Sequence, residues 1–101
     1  MKIVFFSAQP YDREFFTRFN EDQSELVFIE SALDIHSVEL ANGANAICVF
    51  VNDKVNASVI EKLAAKSIKI IALRCAGFNN IDLEAAKSNG IKVCRVPAYS
   101  P

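Results

Sequence analysis

The sequence predicts a doubly wound α/β domain: a parallel sheet of five short strands with helices on both faces. Three observations carry that expectation. Apolar runs such as Ile47 to Val51 show no alternation, as strands covered on both faces require. Between such runs, apolar residues recur at helical spacing, most clearly at Val59, Ile60, Leu63 and Ala64. Twice, at Asn42-Gly43 and Asn89-Gly90, a helical pattern ends in Asn-Gly and a strand pattern begins within a few residues. Such pairs suit helix-to-strand turns in which glycine supplies a positive φ.

Taken in order, Ile3 to Phe6 reads as the first strand, and after the Gln9-Pro10 break a helical pattern sets Phe15, Phe16 and Phe19 on one face. Glu25 to Ile29 is the second strand. Asp34 is placed to cap a helix with Ile35, Val38 and Ala41 inward, ending at Asn42-Gly43. Ile47 to Val51 is the third strand, and Asn52-Asp53 leads towards the Val59–Ala64 helix. Ile68 to Leu73 repeats the buried-strand pattern, a helix runs from about Asp82 to Asn89-Gly90, and Val93 begins the fifth strand. Strands alternating with helices and joined by right-handed crossovers give a flavodoxin-like order of 2-1-3-4-5. Ser100-Pro101 has the form of an N-cap and a first helical residue, so the chain is expected to be the N-terminal piece of a longer protein.

The 101 residues are 51% hydrophobic and 23% charged, enough for a compact domain with a core. No apolar run approaches the ~20 residues of a bilayer helix, and the first run is broken by Ser7, Gln9, Pro10 and Asp12 before it reaches the length of a secretion signal. A cytoplasmic location without membrane contact is expected. A net charge of −1 with interspersed signs leaves no basic stripe for nucleic acid. Cys48, Cys75 and Cys94 are odd in number and form no CxxC pair, so reduced core or near-core thiols are expected rather than disulfides or a metal site.

The stretch Leu73 to Asp82 holds the most suggestive chemistry. Gly77 permits a tight turn, Asn79 and Asn80 tolerate left-handed conformations, and Asp82 can accept from N–H groups at a helix opening. Outward N–H groups beside the positive end of a helix suit a carboxylate or phosphate. The same residues also make an ordinary strand-to-helix turn that binds nothing, and taken alone they favour that plainer reading. Arg74 either helps to hold an anion or reaches solvent and pairs with an Asp or Glu, and the surface reading is the expected one. Tyr99 either overhangs the same sheet edge or packs with a wet hydroxyl. Ser7-Ala8-Gln9-Pro10 reads as a plain connector, lacking both a flavin-phosphate cradle and the acidic pair of a phospho-receiver. Asn52-Asp53-Lys54 reads as an exposed turn. His36 is expected in a surface or cap role. Gly43, Gly77 and Gly90 are too far apart for a GxGxxG or GxxxxGK[ST] loop, so no dinucleotide is expected to bind in the Rossmann manner.

Ala72-Leu73-Arg74-Cys75-Ala76-Gly77-Phe78-Asn79-Asn80-Ile81-Asp82, followed by Val96-Pro97-Ala98-Tyr99-Ser100-Pro101, closely resembles the N-terminal region of NAD-dependent D-lactate dehydrogenases, members of the D-isomer-specific 2-hydroxyacid dehydrogenases. Phe50-Val51-Asn52-Asp53 and the opening strand share the resemblance. It implies that residues 1–101 are the first part of a flavodoxin-like substrate domain, without the Rossmann coenzyme domain and the returning last helix. It implies that Ala76 and Gly77 offer backbone N–H groups to the carboxylate of a 2-keto acid, that Tyr99 lines the pocket, and that Phe50 and Cys75 lie near it. The family's arginine, histidine and glutamate come from the later domain, so no catalytic residue is expected here. NAD would serve the parent enzyme without binding this piece alone. The alternatives are a stand-alone flavodoxin-like binding or regulatory module, or a piece of another D-2-hydroxyacid dehydrogenase. The missing segments also imply exposed apolar surface and self-association.

Overall fold

The computed structural model describes residues 1–18, 20, 23–74 and 80–96. Five strands, β1 (Lys2–Phe5), β2 (Glu25–Phe28), β3 (Ala46–Val49), β4 (Ile70–Leu73) and β5 (Lys92–Arg95), form one parallel sheet in the order β2-β1-β3-β4-β5. The helices are α1 (Pro10–Arg18), α2 (Ala57–Ala65) and α3 (Leu83–Ser88). The predicted order 2-1-3-4-5 is the observed one: successive strands are neighbours except that the connection from β2 crosses β1 and sets β3 on its other side, which is where the winding reverses.

Register divides the strand residues between two faces. Val27, Val4, Ile47, Ile71 and Val93 lie in one row and point into the main core, where Val59, Ile60 and Leu63 of α2 and Ala86 of α3 meet them. The next row, Phe28, Phe5, Cys48, Ala72 and Cys94, points to the opposite face. There α1 brings Phe16, whose ring centroid is 4.6 Å from that of Phe5, and Phe5 stacks on Phe28 at 4.7 Å. Phe15 and Phe16 are half-buried, as their predicted shared face requires; Phe19 lies outside the described residues.

Helix starts follow from local side chains. Asn56 caps α2 by accepting from the Val59 N–H at 3.0 Å, and Asp82 caps α3 by accepting from the Ala85 N–H at 2.9 Å. Pro10 opens α1, where Asp12 reaches back to the Gln9 N–H at 2.7 Å, half of a capping box. The helix expected after Asp34 is instead a 3₁₀ turn, Ser37–Ala41. The Asp34 carboxylate accepts from the Ser37 and His36 N–H groups, which holds its pKa below the ordinary value and bends the chain locally before a helix can propagate. Val38 and Ala41 are buried as expected, but Ile35 is 37% exposed because it precedes the turn. Gly43 and Gly90 both take the left-handed conformation, with φ of +83° and +70°.

Candidate active-site edge at the carboxyl ends of the strands

Parallel strands end together, and their last backbone groups have no ladder partners beyond the sheet. Side chains take over that bonding here. Asp53, expected in an exposed turn, is 1% exposed and lies at the centre of it. Its Oδ1 accepts from the Ser7 hydroxyl and the Leu33 N–H, each at 2.7 Å, and its Oδ2 accepts from the Phe50 N–H at 2.6 Å. One carboxylate thus joins the loops after β1, β2 and β3. A carboxylate has acceptor positions for all three donors, which an apolar residue or a lysine at position 53 would leave unmade. Ser7 is held with φ of +53°, a conformation rarely taken by a residue with a side chain, and its N–H donates to Ser31 O at 2.9 Å. The first loop is therefore no plain connector.

Arg74 differs most from expectation. Its side chain is fully buried, with Nη1 2.6 Å from the Asp12 carboxylate, itself 1% exposed, and Nη2 donating to Phe6 O. Its guanidinium carbon lies 5.5 Å from the centre of the Phe50 ring and 6.0 Å from that of Phe5. The register explains the difference: the residue after Leu73 projects to the face that α1 covers, so it meets the first turn of α1 rather than water. Nearby Cys48 is buried, and that burial pushes its thiol up to about 12 despite the opposing pull of Arg74. Cys94 is exposed on the sheet edge, so the thiols are not all near-core.

Among the proposed substrate residues, Phe50 is described and half-buried at this edge. Cys75, Ala76, Gly77 and Tyr99 lie outside the described residues, as do Ser100 and Pro101. Both flanks of the segment from 75 to 79 are described. Arg74 enters it beside the Phe50 ring, and Asn80 leaves it, donating from Nδ2 to Phe50 O at 2.9 Å and Asp53 O at 3.1 Å. Val55 and Ile81 then pair as an isolated parallel bridge. An open groove of about 570 Å³ runs between these two loops. His36 is exposed, as expected. Among the described residues no cluster of metal ligands occurs, and no helix is long and apolar enough to cross a membrane. Ser7, Asp12, Asp53, Arg74 and Asn80 escaped sequence reasoning; a lone Asp shortly after a buried strand was the one available signal.

Residues 3–101 match the family described as D-isomer specific 2-hydroxyacid dehydrogenase, catalytic domain. Over the whole chain, 56% of positions are identical to 2-hydroxyacid dehydrogenase homolog 1 of Schizosaccharomyces pombe, of which the chain covers 31%. The apo-structure of D-lactate dehydrogenase from Escherichia coli superimposes with a TM-score of 0.92 at 47% identity, covering all of this chain and 32% of that one. D-lactate dehydrogenase from Lactobacillus jensenii, solved with NAD+, does so at 0.84 and 31% identity, again over all of this chain and 31% of that one. The chain thus spans about a third of the length of these proteins. Its sheet order and its sequence agree, and the chain belongs to the family of D-isomer-specific 2-hydroxyacid dehydrogenases.

Proposed function

We propose that the chain is the first part of the substrate-binding domain of an NAD-dependent D-lactate dehydrogenase, which reduces pyruvate to D-lactate with NADH. In this reading the backbone N–H groups of Ala76 and Gly77 hold the substrate carboxylate, with Tyr99, Phe50 and Cys75 around it. The observation that carries it is the convergence on Phe50: Arg74 and Asn80, the residues flanking 75–79, both lie against Phe50 at the carboxyl ends of the central strands. Ligands of open parallel sheets bind at that edge.

The coenzyme and the groups that polarise and protonate the keto acid belong, in this reading, to the rest of the parent enzyme. The first strand-to-helix turn supports that division. A Rossmann turn there would bring glycines and a free helix start to a pyrophosphate, whereas this turn carries Asp12, whose carboxylate already occupies the Gln9 N–H. These residues do not fit a dinucleotide. A location in the cytoplasm is part of the same proposal.

The test is NADH oxidation with pyruvate, with chiral analysis of the product. The longer enzyme is expected to yield D-lactate and the 101-residue chain to yield none. L-lactate, or no reduction by the longer enzyme, overturns the activity. Turnover by the chain alone overturns the division of labour.

A further inference from the structure

Phe50 stands one residue beyond β3, where the sheet ladder no longer holds the backbone. Yet both of its polar backbone groups are engaged by side chains: its N–H donates to Asp53 Oδ2 at 2.6 Å, and its C=O accepts from Asn80 Nδ2 at 2.9 Å as well as from the Asp53 backbone N–H at 3.0 Å. A residue past a strand end ordinarily leaves such groups to water. Here they are fixed by two residues from different loops, one of them nearly without exposure. Asn80 also binds the Asp53 carbonyl at 3.1 Å, so the two holders are themselves tied together.

We propose that Asp53 and Asn80 are positioning residues of the 2-keto acid site, acting by clamping the Phe50 peptide from both sides and so setting where its ring stands. The inference rests on the proposed substrate-domain reading. The ring of this half-buried residue lies against the Arg74 guanidinium, and the clamp keeps it there. The consequence is specific: loosening the clamp moves one wall of the substrate pocket and leaves the coenzyme's binding untouched.

Three variants of the longer enzyme test this. Asn80→Ala removes the side-chain donor to the Phe50 carbonyl and leaves it only the Asp53 N–H at 3.0 Å, from its own turn. Asp53→Asn offers one acceptor oxygen where two serve three donors, so part of the set is lost. Ser7→Ala weakens the same knot without touching Phe50, and serves as the comparison for stability alone. Asn80→Ala and Asp53→Asn are expected to raise KM for pyruvate about tenfold, the scale of effect a displaced binding wall produces. KM for NADH and kcat should stay within about twofold, because uniform substrate binding is what is lost. Ser7→Ala should lower Tm and leave KM for pyruvate within about twofold. If Asp53→Asn does not fold, Asn80→Ala alone decides. An unchanged KM for pyruvate, or the same rise in Ser7→Ala, overturns the clamp with the activity reading intact. A wild-type enzyme that reduces no 2-keto acid overturns both.

Discussion

Arg74 and Asp12 show what a single buried pair does in a small sheet domain. The two charges meet at 2.6 Å with almost no solvent contact and connect the end of β4 to the first turn of α1. Taking both out of water costs much of what their attraction returns, whereas removing one leaves the other stranded. Asp12→Ala is therefore expected to lower the unfolding free energy by about 3–5 kcal/mol, read from the urea midpoint. Asp12→Leu combined with Arg74→Met should recover most of that loss. A double variant as unstable as the single one would mean that the pair is not the source of the effect. Neither partner was legible in the sequence. An arginine after an apolar strand looks the same whether it meets water or a carboxylate, and its partner here is set by which face α1 covers.

Among the elements, α3 is the simplest to take apart, being six residues long with a side-chain cap at one end and a left-handed glycine after the other. Asp82→Ala should cost about 1 kcal/mol through the lost bond to the Ala85 N–H. A Cβ at Gly90 would meet nothing within 4 Å, so Gly90→Ala is opposed by the backbone conformation alone, at about 1–2 kcal/mol. Gly90→Asn should cost less, since asparagine enters that region more readily. Equilibrium denaturation of the three variants checks the ranking, and a neutral Gly90→Ala would contradict it. These signals were readable because caps and positive-φ turns are local. The 3₁₀ turn at Ser37–Ala41 was not, because the Asp34 carboxylate serves a helix start and a tight turn equally well until the following chain is placed.

At the scale of the molecule, the two faces of the sheet are covered unequally. The core face is sealed by α2 and α3, while the row Phe28, Phe5, Cys48, Ala72 and Cys94 is packed by aromatic residues near β1 and β2 and grows more exposed towards β5. Ile70 and Ala72 are half-buried and Cys94 is exposed. Isolated in solution, the 101-residue chain is expected to associate through this region. Sedimentation equilibrium over a range of concentrations tests that, and a monodisperse monomer at high concentration would refute it.

The sequence by itself determined the strand order, the parallel sheet, the three α-helices, the cap at Asp82 and the turns at Gly43 and Gly90. Each depends on residues a few positions apart, where periodicity and backbone preference act directly. Tertiary structure alone decided the burial of Arg74 and the joining of the loops by Asp53 and Asn80. Those bonds link residues distant in the chain, formed because parallel strands bring their carboxyl ends to one edge and leave backbone groups there in need of partners.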